Sequence, residues 1–288
     1  MQVYLNGQWL DGDSACVSVL DRGFLFGDGV YEVIPVYGGY AFRLQAHLNR
    51  LQRSLHETRI PEPHDREGWQ AIIDGLIERF GADGDASVYL QVTRGVAQRD
   101  HAFPAEARPT VFGMINPLHP VDEAVLEQGV AAIVREDIRW HRCDIKSISL
   151  LGNVLLRQEA VEAGAAEAIL IRDGLVTEGA ASNVFVVKSG EIITPPTDEC
   201  LLGGITRELV LELARFHGLA VREAPVRELF LRNADEIWLT SSTKEILPVT
   251  RLDGKPVGEG VPGPVWHTMR ELYVRCKERL RRGDKICY

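Results

Sequence analysis

Lysine is rare in this chain. Of 32 lysines and arginines only six are lysines, and the first of them is Lys146. It stands in Asp144-Ile145-Lys146-Ser147-Ile148, between isoleucines. The other five have ordinary settings, beside turns (Lys188, Lys255), after a strand (Lys244) or towards the C-terminus (Lys277, Lys285). A lysine among apolar neighbours loses hydration, and a free amine is the nucleophile that Schiff-base chemistry needs. Locally, a lysine that snorkels to water is the commoner outcome. The functional reading therefore depends on what else the chain carries.

It carries a matching set. Glu178 ends the strand-like Leu175-Val176-Thr177, just before the small-residue turn Gly179-Ala180-Ala181-Ser182. A carboxylate there suits a pyridinium nitrogen, although strand ends are also where solvated acids sit. Leu202-Gly203-Gly204-Ile205-Thr206 leads into a helical pattern, and glycines with a hydroxyl at a helix start are a phosphate seat or an ordinary N-cap at Thr206. A second hydroxyl cluster, Ser241-Ser242-Thr243, follows the strand-like Glu236 to Thr240. Arg50 adjoins the apolar stripe of a helix, from which it can reach inward to a phosphate. Amine, carboxylate, guanidinium and two hydroxyl-rich seats are together the parts of a pyridoxal-phosphate site.

Other patterns carry less. Gly258-Glu259-Gly260-Val261-Pro262-Gly263 has dinucleotide-type glycine spacing but no strand–helix unit around it, and reads as a loop. Ser241-x-x-Lys244 has the spacing of serine acyl-enzymes without their companion motifs. The eight histidines show no metal-ligand spacing, so no metal is expected.

The elements that must position these residues follow from turn and periodicity signals. Asn6-Gly7, Gly38-Gly39 and Asp173-Gly174 each separate two strand-like runs, and Ser189-Gly190 follows the strand-like Val184 to Val187, as residues of two-residue hairpin turns do. Leu44, Leu48, Leu51 and Leu55 predict a helix over 42–58, and further helices are expected over 67–80, 150–163, 206–217 and 265–280. Hairpins with helices beside them give α+β, with much of the sheet antiparallel. The two prolines of Asn116-Pro117-Leu118-His119-Pro120 suit a linker. The expected domains are 1–117 and 121–288, joined by 118–120.

Composition bounds the function. The chain has 288 residues, 45% apolar and 25% charged, with a net charge of -9. That suits a globular protein with a large core and carries no electrostatic footprint for nucleic acid. No run approaches the ~20 apolar residues of a membrane span. Residues 1–10 do not have the build of a signal peptide. Five scattered cysteines without a Cys-x-x-Cys pair are expected to be reduced thiols in a cytoplasmic protein.

Taken in order, several segments resemble one family. They are Asp21-Arg22-Gly23-Phe24-Leu25-Phe26-Gly27-Asp28-Gly29-Val30-Tyr31-Glu32, then His47-Leu48-Asn49-Arg50-Leu51, then Lys146, then Glu178 to Phe185, then Gly204-Ile205-Thr206-Arg207. This set, spread over nearly the whole chain, resembles the class IV (fold-type IV) pyridoxal-phosphate aminotransferases. The resemblance implies a two-domain α+β fold, with a smaller N-terminal α/β domain and a larger C-terminal pseudo-barrel domain. It also implies a homodimer, with pyridoxal 5'-phosphate at the domain interface. Carried over residue by residue, Lys146 is the Schiff-base lysine and proton carrier, and Glu178 pairs with the pyridine nitrogen. Arg50, the Ile205 N–H, Thr206 and Ser242 hold the phosphate, and Leu202 packs on the ring. Two departures, Gly203 for the family's frequent Asn or Pro and Ser242 for Thr, keep the N–H groups and hydroxyl that a phosphate needs.

Within the family, the loop Thr93-Arg94-Gly95-Val96-Ala97-Gln98-Arg99-Asp100-His101-Ala102-Phe103-Pro104 resembles that of D-amino acid transaminases. In them an arginine, a histidine and a tyrosine trap the substrate α-carboxylate. The matching residues are Arg99, His101 and Tyr31, the loop pair reaching in from the partner subunit. The implied reaction is ping-pong transfer of an amino group from a D-amino acid such as D-alanine to 2-oxoglutarate. Branched-chain L-amino acid transaminases, aminodeoxychorismate lyases and (R)-amine transaminases share the cofactor residues and stay open at this point.

Overall fold

The computed structural model describes residues 1–81, 84–106 and 108–284. They form two compact units. The first is Met1–His119 with Ile145–Leu150, and the second is Pro120–Asp144 with Leu151–Tyr288. The chain thus changes unit at His119–Pro120 and twice more around Lys146, a return that one break at 118–120 does not include. Ile145 explains the return, because it packs into the core of the first unit.

The first unit contains β1 (Gln2–Leu5), β2 (Gln8–Asp11), α1 (Arg22–Phe26), β3 (Gly29–Tyr37), β4 (Tyr40–Ala41), α2 (Leu44–Thr58), α3 (Arg66–Phe80), β5 (Ala86–Thr93) and β6 (Thr110–Pro117). Among the described residues its strands make a six-stranded antiparallel sheet in the order β2-β1-β6-β5-β3-β4. Asn6-Gly7 and Gly38-Gly39 turn two of its hairpins, as their sequence predicts. Strand alternation splits β3 into two faces. Val30, Ile34 and Val36 point into the core with Leu48, Leu51 and Leu55 of α2 and Ile72, Ile73 and Leu76 of α3. Tyr31 and Val33 lie on the more open face. Glu32 also occupies a core position, and it is fully buried.

The second unit contains α4 (Glu123–Gln128), β7 (Val130–Glu136), α5 (Leu151–Glu162), β8 (Glu167–Arg172), β9 (Leu175–Gly179), β10 (Asn183–Lys188), β11 (Glu191–Thr194), α6 (Ile205–Phe216), β12 (Val221–Glu223), α7 (Glu228–Arg232), β13 (Glu236–Ser241), β14 (Glu245–Leu252), β15 (Lys255–Pro256) and α8 (Pro264–Arg281). Among the described residues its strands run β12-β11-β10-β13-β14-β7-β8-β9, with β15 on β14. They curl into a half-barrel. The Asp173-Gly174 and Ser189-Gly190 hairpins form as expected. Three neighbours are parallel instead, β7–β8, β14–β7 and β11–β12. Parallel neighbours are joined by long crossovers, so no local turn announces them. The mixture of hairpins and helices is α+β, as the sequence predicts.

Among the described residues no helix is long and apolar enough to cross a membrane, and no three His, Cys, Asp or Glu side chains group as a metal site. Cys16, Cys143 and Cys200 are free thiols. Cys276 is disulfide-bonded, which corrects the expectation of reduced thiols throughout. Pairing follows from proximity in the fold, which sequence spacing does not reveal. Cys287 and Lys285 lie outside the described residues.

The loop after β5 is pinned at its base. Gly95 has φ +97°, and a Cβ there would overlap the Arg108 carbonyl oxygen. Gly95→Ala should therefore cost on the order of 3 kcal/mol of stability, through backbone strain and displacement of the loop. A lowered urea midpoint with unchanged m-value checks this.

Candidate active site

Lys146 belongs to the first unit, and its backbone is tied there on both sides. The Lys146 carbonyl accepts the Tyr31 N–H at 3.0 Å. The Lys146 N–H donates to Ser54 Oγ of α2 at 3.3 Å. Ser147 bridges Val30, and the Ile148 N–H donates to the Gly29 carbonyl at 3.0 Å. The amine lies over the Tyr31 ring, 4.2 Å from its centroid. That ring stacks on Tyr89 at 5.7 Å. Burial, with the Tyr31 hydroxyl nearby, pushes the Tyr89 phenol up to about 12. The amine is thus held by a rigid backbone against an aromatic face, away from the tumbling of a surface lysine.

Below it on α2, Arg50 is buried and engaged. Its Nε and Nη2 donate to Glu32 Oε1 and Oε2 at 2.7 and 2.8 Å, while His47 Nδ1 meets Oε2 at 2.8 Å. Burial works to raise the Glu32 carboxyl, but the Arg50 charge, its hydrogen bonds and the His47 contact hold it at about 2. Burial pushes His47 down against the opposing pull of Glu32. Neutral His47 donating to Glu32 is the consistent state.

The loop after β5 holds the candidate carboxylate trap. Arg22 Nε and Arg94 Nε donate to Asp28 Oδ2 at 2.7 and 2.8 Å. Arg22 Nη1 also reaches the carbonyls of Asp100 and Ala102, and the Arg94 guanidinium lies 3.7 Å from the Phe103 centroid. These contacts shape the loop and leave Arg99 and His101 exposed. Both meet Phe26, at 5.3 and 5.5 Å from its centroid. The chain therefore presents Tyr31 with Lys146 and Tyr89, and Arg99 with His101 on Phe26, as two separate groups.

In the second unit Glu178 is buried at the end of β9. Its Oε1 accepts Arg139 Nη1 at 2.5 Å. Its Oε2 accepts Asn183 Nδ2 and the Leu202 N–H, both at 3.1 Å. Arg139 is clamped from the other side by Asp137, through Nε and Nη2 at 2.9 Å. Thr177 Oγ1 also donates to Asp137, at 2.9 Å. Burial drives the Glu178 carboxyl up to about 7, against the pull of Arg139 and the Leu202 N–H and with the push of Asp137. Arg139, held by two carboxylates, stays cationic. A carboxyl near neutrality on a fixed arm can share a proton with a basic ring nitrogen.

Asn183 organises the entry to α6, the candidate phosphate seat. Its amide also donates to the Leu202 carbonyl at 2.8 Å, and a Cβ on Gly204 would collide with its Oδ1. Only glycine fits there. Gly204, not Thr206, is the N-cap of α6, with no side-chain capping bond. The first intrahelical bond runs from the Glu208 N–H to the Gly204 carbonyl. The N–H groups of Ile205 and Thr206 therefore precede the helical ladder and remain for an anion. Thr240, opposite Asn183 across β10 and β13, is buried with an Oγ1 that has no hydrogen-bond partner among the described residues. Ser242 lies in the half-exposed turn that follows. In that turn Ser241 Oγ accepts the Lys244 N–H at 3.2 Å, so the Ser241–Lys244 spacing is that of a hairpin.

The structure thus brings Glu178, Leu202 and Gly204 together around Asn183, with Ile205 and Thr206 next along the chain, and Lys146 together with Tyr31. The sequence reading missed Arg139, Asp137, Asn183 and Thr240. Asp137-Ile138-Arg139 gives no sign that it faces Glu178, because the approach is across the fold. The donors of the second unit fit the ring and phosphate of pyridoxal phosphate, with an acid near neutrality, uncapped helix donors and an unused buried hydroxyl, and the first unit by itself presents a positioned amine.

Comparison with known proteins points the same way. The model of the amino-transferase class IV family matches residues 29–252. A D-alanine aminotransferase of Bacillus licheniformis is 44% identical over 265 residues, 92% of this chain and 93% of that protein. One from Staphylococcus haemolyticus is 40% identical over 94% of this chain and 95% of that protein. Among solved structures, the Escherichia coli branched-chain amino acid aminotransferase superposes with a TM-score of 0.86 at 29% identity, covering 95% of this chain and 93% of its own. A second branched-chain enzyme (T.th.), solved with pyridoxamine 5'-phosphate, gives 0.90 at 26% identity over 96% and 93%.

The high-lying Glu178 carboxyl makes a testable pH signature in the protein without cofactor. Its ordinary value is 4.5 and its folded value about 7. Between these the folded state binds the extra proton, so stability falls as pH rises through the window and is level above it. Glu178→Gln should remove that slope, worth at most roughly 3 kcal/mol. Urea midpoints measured from pH 4.5 to 8 read it directly.

Proposed function

Because the chain belongs to the class IV aminotransferases, which are pyridoxal-phosphate enzymes, we propose that it is a D-amino acid transaminase. The amino group passes from a donor such as D-alanine to a 2-oxo acid such as 2-oxoglutarate, in a ping-pong cycle. The similarity to D-alanine aminotransferases supports this substrate class. The observation that carries the chemistry is the Lys146 amine, fixed by its backbone over the Tyr31 ring. When bound, pyridoxal phosphate supplies an aldehyde that holds the amino group and a cationic ring that takes up electrons.

The residues divide the work. Lys146 Nζ would hold the cofactor aldehyde and would carry the proton of the substrate α-carbon. Glu178 keeps the ring nitrogen protonated, and Arg139 with Asn183 keeps Glu178 in place. The Ile205 and Thr206 N–H groups, the Thr206 and Ser242 hydroxyls and Arg50 would hold the phosphate, and Leu202 would pack on the ring. Tyr31, Arg99 and His101 bind the substrate α-carboxylate, for which a guanidinium fork is the fitting partner. In this reading the enzyme is a cytoplasmic homodimer, and Arg99 and His101 serve the partner's substrate. Their exposure on a loop anchored at both ends supports that role.

The fold similarity to branched-chain enzymes supports a second reading, an L-amino acid transaminase. An assay with 2-oxoglutarate as acceptor separates them: D-alanine should turn over and L-leucine should not. Borohydride reduction of the cofactor-loaded enzyme should fix the label on Lys146. Lys146→Ala should lose both the label and turnover, and a label on any other side chain refutes the assignment. Arg99→Ala should raise KM for D-alanine roughly 100-fold while leaving cofactor affinity within about 2-fold. Equal losses of both would remove Arg99 from the carboxylate site.

A further inference from the structure

A carboxylate stands where the alternation of β3 calls for an apolar side chain. Glu32 lies between Val30 and Ile34 on the face packed against α2, wholly out of water. On α2, His47 and Arg50 are three residues apart and both buried. Three hydrogen bonds of 2.7 to 2.8 Å converge on the two Glu32 oxygens. Core stability does not require such a pair, since apolar residues of similar volume usually serve as well or better. The arrangement does fix a direction. A guanidinium held through Nε and Nη2 by both oxygens of one carboxylate is locked in plane. The His47 ring is committed to this contact, for its Nε2 is buried without a hydrogen-bond partner among the described residues.

On the reading that Arg50 meets the cofactor phosphate, we infer that Glu32 and His47 are positioning residues that aim Arg50 at that phosphate. They thereby set the preference for the phosphorylated cofactor over unphosphorylated pyridoxal. Two effects oppose each other here. Glu32 places a negative charge near an arginine that must attract an anion, which alone weakens the seat. It also removes the rotational freedom of a long side chain, which strengthens it. Orientation prevails, because a guanidinium that swings onto other acceptors is lost to the phosphate altogether.

The sign of one measurement decides this. The full chain, stripped of cofactor, is titrated with pyridoxal phosphate and separately with pyridoxal, followed by tryptophan fluorescence. Glu32→Gln should weaken pyridoxal phosphate binding by about 10-fold and change pyridoxal binding by less than about 2-fold. Tighter or unchanged pyridoxal phosphate binding overturns the inference, since charge would then outweigh aim. Equal weakening of both ligands overturns it too, as the mark of a merely structural role. Arg50→Lys runs alongside. If it leaves pyridoxal phosphate affinity intact, the phosphate role of Arg50 fails and the inference with it. If Arg50→Lys weakens binding and Glu32→Gln does not, the inference alone fails. Should Glu32→Gln not fold, His47→Ala reads the same ratio, with an expected shift of about 3-fold.

Discussion

A charge taken out of water must be met by another charge or by converging hydrogen bonds, and this protein holds two such cases with opposite outcomes, one in each unit. Glu32 and Glu178 are both buried, and each is paired with an arginine. The outcomes differ widely. Glu32 receives a bidentate guanidinium and an imidazole and is held at about 2. Glu178 shares its arginine with Asp137, whose own charge pushes the other way, and rises to about 7. One carboxylate is a fixed anion and the other is a proton-sharing group. Environments that drive two like groups apart are how a site divides its labour.

The same constraint explains why glycine and asparagine matter in the second unit. Asn183 donates to both Glu178 and Leu202, so it couples the acid to the segment that enters α6. That coupling demands a close approach, which Gly204 permits and any side chain would block. The helix then starts without a side-chain cap, and its first N–H groups are left for an anion. One amide therefore links the buried acid to the start of α6.

Much of this was legible in the chain itself. Asn-Gly, Asp-Gly and Ser-Gly pairs tolerate positive φ and gave true hairpins, as at Asn6-Gly7 and Asp173-Gly174. Leucine spacing gave α2 to within two residues. Lys146, rare and set among isoleucines, was conspicuous by type and neighbours. Long-range approach was not legible. Arg139 is 39 positions from Glu178 and meets it across β8, which pairs with β9 through a hairpin but with β7 in parallel, and parallel pairing leaves no turn signature. Ile145–Leu150 rejoins the first unit through one packed isoleucine and backbone bonds to β3, which composition does not encode. Thr206 has the right type for an N-cap, yet the cap is Gly204, because packing against Asn183 rather than intrinsic preference sets where the helix begins.

Fold and substrate are recorded in different parts of the molecule. The branched-chain enzymes share the scaffold at TM-scores of 0.86 and 0.90 with 29% and 26% identity. The D-alanine enzymes share 40% to 44% of the residues themselves. A sheet with its helices can be kept while nearly three residues in four change, so scaffold agreement says little about which hand of amino acid is taken. On the proposed reading the cofactor-holding groups are also neutral on that point, since Glu178 and the α6 donors would meet the cofactor and Lys146 the atoms common to every amino donor. Handedness can enter only through the groups that fix the α-carboxylate relative to the amine. Arg99 and His101 stand on a loop that Arg22, Arg94 and Gly95 hold in one shape. The substrate reading therefore rests on that loop far more than on the barrel.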